Sequence, residues 1–169
     1  MRNKTKTGVG ASSPYFCYDG RMASLIEYKK ARLKFAVEEK FEAGIELFGF
    51  ETKAVKSNLG NLDGSHVTIR GGEAFLVNMT IPAYQPANTP ESYVPNRPRK
   101  LLLTKKEILL LSQMEQEKGL TIVPLSLYNK GRNVKVEVAV VRGKQKHDKR
   151  EDIKKRDTER DVRREFKAR

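Results

Sequence analysis

Cysteine occurs once in this sequence, at Cys17, and histidine twice, at His66 and His147. A lone cysteine cannot close an internal disulfide, and without a Cys/His cluster there is no zinc-ligand spacing. No apolar run approaches the ~20 residues of a membrane-spanning helix. The N-terminal lysines are not followed by a continuous apolar stretch and a small-residue cleavage site, so secretion is not expected either. The expected compartment is a reducing cytoplasm. Catalytic equipment is equally sparse: no serine in a nucleophile elbow, no glycine-rich phosphate loop, no carboxylate pair with a partner to tune it. A ribonuclease built on His147 and Lys149 would sit in a tail with no concave pocket around it. The expectation is a non-enzymatic protein without metal or cofactor.

Positive charge is what the chain has in excess. Its 169 residues carry 34 Lys and Arg against 21 Asp and Glu, a net charge of +13, with an isoelectric point near 9.9. That balance points to a polyanionic partner. Residues 1–21 hold four cations against one acid, residues 22–142 eighteen against thirteen, and residues 143–169 twelve against seven. The last segment is much the shorter of the two larger ones, so its charge is the more concentrated. A moderately basic domain with a highly charged, apolar-poor tail is the organisation expected.

Residues 34–48 place Phe35, Val37, Phe41 and Ile45 on one parity and Glu38, Glu42 and Glu46 on the other, the pattern of a long, half-buried strand. A short helix is expected over 50–57, stopped by Asn58 and Gly60. Gly71-Gly72 predicts a tight hairpin between strands at 66–70 and 73–77, because both residues can take positive φ. Five of the seven prolines fall within 80–98 and mark a long connection. Thr104 with Glu107 forms a capping box ahead of Ile108–Leu111, and Gly119 ends that helix. Strands at 121–128 and 132–141 follow, joined by a turn at Asn129-Lys130-Gly131, with strict alternation at Val134, Val136, Val138 and Val140. Pro124 places its own strand at an edge or a bulge. About five strands with two to three helices fit a mainly β, OB-fold-like closed antiparallel barrel.

Three basic constellations could meet nucleic acid. Lys29, Lys30, Arg32 and Lys34 interleave with Tyr28 and Phe35; phosphates need flexible cations and bases need flat aromatic faces, although Phe35 taken alone reads as core. Arg97, Arg99 and Lys100 precede Leu101-Leu102-Leu103 at the end of the proline segment, where stiff prolines could hold Tyr84 and Tyr93 outward; two of the three leucines read as core. In the tail, Lys144, Lys146, Lys149, Arg150, Lys154, Lys155 and Arg156 follow Gly143, which reads as a hinge, and Asp148, which reads as an N-cap. With only Ile153, Val162, Phe166 and one alanine to bury, residues 143–169 are expected to become helical only on a partner.

The stretches EEKFEAGIELFGFETKAVKS (38–57), GEAFLVN (72–78), PRKLLLTKKEI (98–108), TIVPLSLYNKGRNVKVEVAVVRGKQKHDKR (121–150) and DIKK (152–155) together resemble the SsrA-binding protein family, from about Glu27 to the end of the chain. The resemblance implies a barrel that binds the tRNA-like domain of transfer-messenger RNA and a tail that becomes helical in the empty mRNA channel of a stalled ribosome. It places Glu42, Leu102 and Lys135 on the RNA-binding face. It places Gly143, His147, Asp148, Lys149 and Arg150, followed by Lys154 and Lys155, at the small-subunit decoding centre and channel. It further implies an elongation factor Tu complex as partner; a monomer without a membrane partner is expected. The chain departs from the family at Tyr28 and Phe35, where asparagine and tyrosine are usual, at Leu33, often histidine, and at Thr158, where some members have tryptophan. The competing reading is an OB-fold structural protein bound permanently to ribosomal RNA.

Residues 1–21 show no hydrophobic period, capping box or turn that would dock them, though Tyr15, Phe16, Cys17 and Tyr18 cluster there. The simplest expectation is that Met22 is the natural initiator and the leader an extension or a dispensable arm.

Overall fold

The alternation at Val134, Val136, Val138 and Val140 does what period-two patterning dictates: all four side chains are buried on one face of a strand, in the main core. The computed structural model describes residues 24–145 together with His147, Asp148, Thr158 and Arg164. Its elements in chain order are β1 (Ser24–Glu27), α1 (Ala31–Lys34), β2 (Phe35–Ile45), α2 (Gly49–Lys56), β3 (His66–Arg70), β4 (Glu73–Val77), a single 3-10 turn at Pro86–Asn88, β5 (Arg99–Leu102), α3 (Lys105–Gln116), β6 (Leu120–Lys130) and β7 (Asn133–Gly143). The architecture is mainly antiparallel β with three helices, as expected. Among the described residues there are seven strands rather than about five.

The pairings close on themselves. β6 pairs with β3, β3 with β4, β4 with β5, β5 with β2, β2 with β7, and β7 with β6, while β1 adds to the side of β6 near its hairpin end. The core fills the interior of that ring with Ala43, Val67, Leu76, Leu101, Ile122, Leu127 and Val134, Val136, Val138 and Val140 of β7, and Leu111 of α3 and Val55 of α2 join the same cluster. β3 meets β6 only at Val67 and Ile122. α3 lies beside that short junction, where the Glu115 carboxylate accepts a hydrogen bond from the Ile69 amide at 3.2 Å.

Local chemistry sets the boundaries. Gly71 and Gly72 take φ of 60° and 76°, giving the two-residue turn that the paired glycines require. Thr104 accepts from the Glu107 amide at 3.3 Å, and the Glu107 carboxylate accepts from the Thr104 amide at 2.8 Å. The hairpin between β6 and β7 is tighter than the sequence suggests. Asn129 and Lys130 still pair, with Val134 and Asn133, so the turn falls at Gly131-Arg132. Pro124 lies beside a register shift between Pro124 and Ser126, since a residue without an N–H fits where the ladder is broken.

Candidate nucleic-acid interface

Along β2 the odd residues Phe41, Ala43 and Ile45 contribute to the core, so Glu42 and Gly44 face outward, Glu42 exposed and Gly44 buried beneath the Leu102 side chain. Across that surface Gly44 is opposite Lys135 of β7 on one side and Leu102 of β5 on the other. Glu42, Leu102 and Lys135 are thereby brought together on one outer face. Leu102 is 58 % exposed although it follows Leu101, which is 2 % exposed and faces the core. Glycine at 44 suits this neighbour: a Cβ there would stand 3.1 Å from the Leu102 Cβ, a tight contact that Leu102 would have to yield to by a few tenths of an ångström.

Glu42 is the hub of the face. Its carboxylate accepts from the Tyr128 hydroxyl at 2.5 Å and from the Lys130 ammonium at 2.8 and 3.0 Å, with the Lys135 ammonium 3.8 Å away. The hydrogen bonds from Lys130 and Tyr128 hold its pKa below the usual carboxylate range. Burial, and then the same carboxylate, push the Tyr128 hydroxyl upward. Glu42 therefore stays ionised and acts on its neighbours rather than on a phosphate, which it would repel. Around it, Lys40 pairs with Glu137 at 2.9 Å and Lys100 with Glu73. The face is a lattice of exposed ion pairs around an exposed leucine. Such pairs are each worth only about 0–1 kcal/mol, so a phosphate can draw a lysine out of one at little cost.

Arg99 belongs elsewhere, and here the sequence expectation is corrected. It has the same parity as Leu101, is 0 % exposed, and points inward. Its guanidinium donates to Glu51 at 2.9 and 3.1 Å, to the Met79 carbonyl at 2.6 Å, to the Pro95 carbonyl at 2.8 Å, to the Arg97 carbonyl at 3.1 Å and to the Tyr93 hydroxyl at 3.3 Å. With every N–H engaged it has none to offer RNA. Arg97 adds two more bonds to Glu51, at 3.0 and 2.6 Å. Burial would raise the Glu51 pKa, but the bonds from Arg97, the Phe48 amide and Arg99 outweigh it and hold the carboxyl below its ordinary range. Tyr93 is likewise turned inward, donating to the Ile81 carbonyl at 2.8 Å, whereas Tyr84 is exposed.

Lys29, Lys30 and Arg32 form a second group, at the opposite end of β2 from Gly44. All three are exposed, and Lys30 pairs with Asp63 at 2.9 Å. Tyr28, interleaved with them, is buried in the core and is not a surface for bases. Instead the group adjoins the root of the tail: the Lys144 amide donates to the Lys34 carbonyl at 3.0 Å and its ammonium to the Arg32 carbonyl at 2.9 Å. Gly143 is the last residue of β7, paired with Phe35, so the tail leaves the sheet directly after it. His147 and Asp148 are helical and exposed. The Asp148 carboxylate accepts from the Gln145 amide at 3.1 Å from within the turn, not ahead of it as an N-cap. Lys149, Arg150, Lys154 and Lys155 lie outside the described residues, and with them most of the segment expected to become helical on a partner.

Two features escaped the sequence reading. Tyr128 and Lys130 hold Glu42 only because β6, β7 and β2 align in one register, and no local pattern encodes that. The inward aim of Arg99, by contrast, was available from its parity with Leu101.

Among the described residues no group of three or more His, Cys, Asp or Glu side chains could hold a metal ion, and no helix is long and apolar enough to cross a membrane. The model of the SmpB protein family matches residues 25–168. An SsrA-binding protein of Microcystis aeruginosa is 42 % identical over 149 residues, covering 88 % of this chain and 97 % of that protein. One from Geotalea uraniireducens is 50 % identical over 134 residues, covering 79 % and 88 %. A solved structure described as "tmRNA-SmpB: a journey to the center of the bacterial ribosome" contains a chain that matches with a TM-score of 0.61 and 36 % identity, over 71 % of this chain and 84 % of that one. With the family model matched over residues 25–168, this chain belongs to the SmpB family.

Proposed function

We propose that this protein binds the tRNA-like domain of transfer-messenger RNA and accompanies it to stalled ribosomes, where the pair carries out trans-translation. It acts by binding and placement, without catalysis. The observation that carries the reading is the Glu42 face: an exposed leucine braced on Gly44, ringed by lysines whose counter-ions are weakly held. Membership of a family whose relatives are named for SsrA binding supports the same partner. The ribosome is the second partner, reached through residues 143–169 at the small-subunit decoding centre and the mRNA channel. The chain acts as a cytoplasmic monomer, and an elongation factor Tu complex joins the assembly.

Filter binding against transfer-messenger RNA, with ordinary tRNA as competitor, tests this directly. Tight binding that excess tRNA fails to abolish is expected. Removal of the residues after Gly143 should leave this RNA binding nearly intact while abolishing peptide tagging on stalled ribosomes. Loss of RNA binding on truncation would move the primary site into the tail and refute the assignment to the Glu42 face.

A further inference from the structure

The outward row that carries Glu42 and Gly44 does not stop where β2 ends. Glu46 keeps its amide bonded to the Lys100 carbonyl at 2.9 Å, which holds the edge of β5 alongside for one more step. The next residue of that parity is Phe48, half exposed at 50 %. Its backbone is extended, with φ −68° and ψ 160°, and it is fixed on both sides. The Phe48 amide donates to Glu51 at 2.9 Å, and its carbonyl accepts from the Thr52 amide at 2.9 Å and the Thr52 hydroxyl at 3.1 Å. The Arg97 guanidinium carbon lies 4.0 Å from the centroid of the Phe48 ring. That guanidinium cannot swing away, because it is held by its two bonds to the buried Glu51 carboxylate. The Phe50 ring flanks the Phe48 ring at 5.5 Å and is itself met edge-on by Tyr93 at 4.9 Å.

A large aromatic side chain on the surface, with backbone and neighbours immobilised, contributes little to the core, and its free side is preorganised for a flat partner. We propose that Phe48, backed by Arg97, is a stacking platform for an unpaired nucleobase of the RNA held by the Glu42–Leu102–Lys135 face. The inference rests on the RNA-binding reading above and adds a contact to it. Phe48 lies four residues beyond Gly44 along the same row, roughly 13 Å at the rise of a strand, within reach of one loop of the same RNA. Every base has a face to stack and every strand of RNA has phosphate for Arg97 and its neighbours, so the contact is tolerant of sequence. The cation on the covered side of the ring adds its own attraction to the stack.

The chain contains no tryptophan, so Phe48→Trp installs a single fluorescent reporter at the platform itself. Titrated with the tRNA-like domain of transfer-messenger RNA, its emission should be quenched at least about twofold, saturating at the affinity that filter binding gives, because an indole stacks bases as well as a phenyl ring does. Phe48→Leu keeps apolar bulk without the ring face and should weaken binding about tenfold, the ratio that corresponds to about 1.4 kcal/mol, with the slope of log affinity against log salt unchanged since no phosphate contact is lost. Urea unfolding of both variants checks that the fold persists, and the quenching readout does not depend on the leucine variant. Unchanged emission at saturating RNA, wild-type affinity of Phe48→Leu, or quenching that arises only on adding ribosomes would each overturn the proposal while leaving the RNA-binding reading in place. Absence of RNA binding by the unaltered chain would strike that reading first and this one with it.

Discussion

Replacing Glu51 by glutamine removes one negative charge and leaves almost the same shape. The carboxylate is fully buried and receives bonds from two guanidinium groups and the Phe48 amide, with the Tyr93 hydroxyl oxygen 3.1 Å away. A glutamine can still offer its oxygen to Arg99. Its NH2 then faces the Arg97 Nη2 and the Phe48 amide, donor against donor, and two cations remain with no buried counter-ion. Breaking a buried pair in this way costs about 3–5 kcal/mol. Against a urea m-value of about 2 kcal/mol per molar, the unfolding midpoint should fall by roughly 2 M. The pH dependence provides an independent check. The Glu51 pKa is depressed in the folded state, so its stabilising contribution is fully present above the ordinary carboxylate range and is lost as pH falls through the depressed value. The parent protein should therefore weaken steeply below about pH 4, a range in which unfolded carboxylates take up protons, and Glu51→Gln should show a shallower acid limb. A midpoint shift below about 0.5 M, or identical acid limbs, would show that the cluster does not hold the proline segment to α2 as its bonds imply.

Leu101→Ala should cost about 2–5 kcal/mol, whereas Leu102→Ala should change stability by no more than about 0.5 kcal/mol yet weaken RNA binding; urea melts and filter binding on the same pair separate the two roles. Glu42→Gln should weaken RNA binding more than Glu46→Gln, because the carboxylate that orients Lys130, Lys135 and Tyr128 on the face is lost, and equal effects would reduce Glu42 to an ordinary exposed strand residue. RNA affinity should fall steeply with salt, and Lys135→Ala should flatten the slope by about 1; a flat profile in the parent protein would exclude phosphate contact as the driving force.

Much of this architecture was written locally. The glycine pair at 71–72, the Thr104–Glu107 box and the β7 valines each act through contacts within a few residues, and each element forms where those contacts place it. β1 and β5 were not legible. At four residues each, SLIE and RKLL are too short to display a period, and they become strands only because β6 and β4 offer them open edges. The interface divides along the same line. Glu42, Leu102 and Lys135 were placed by family resemblance and meet through strand register. Arg99 was misassigned because charge was weighed ahead of parity: an arginine alternating with a core leucine goes inward when a buried carboxylate, here forty-eight positions away, is waiting for it.

The pairing of β2 with β7 has a consequence for the order of assembly. These strands run together from Phe35↔Gly143 to Gly44↔Lys135, so the last strand completes a surface begun about a hundred positions earlier. Nothing nearer in the chain can stand in for it. Until β7 is available, β2 has only its short contact with β5 at Gly44 and Ile45, and an open edge of alternating apolar residues is an aggregation hazard. Contacts of such long separation make folding slow, on the scale of milliseconds to seconds. A nascent chain of this protein must therefore spend the synthesis of everything between Ile45 and Asn133 with its longest early strand unpaired along most of its length, and the ring can close only after the root of the tail has been made.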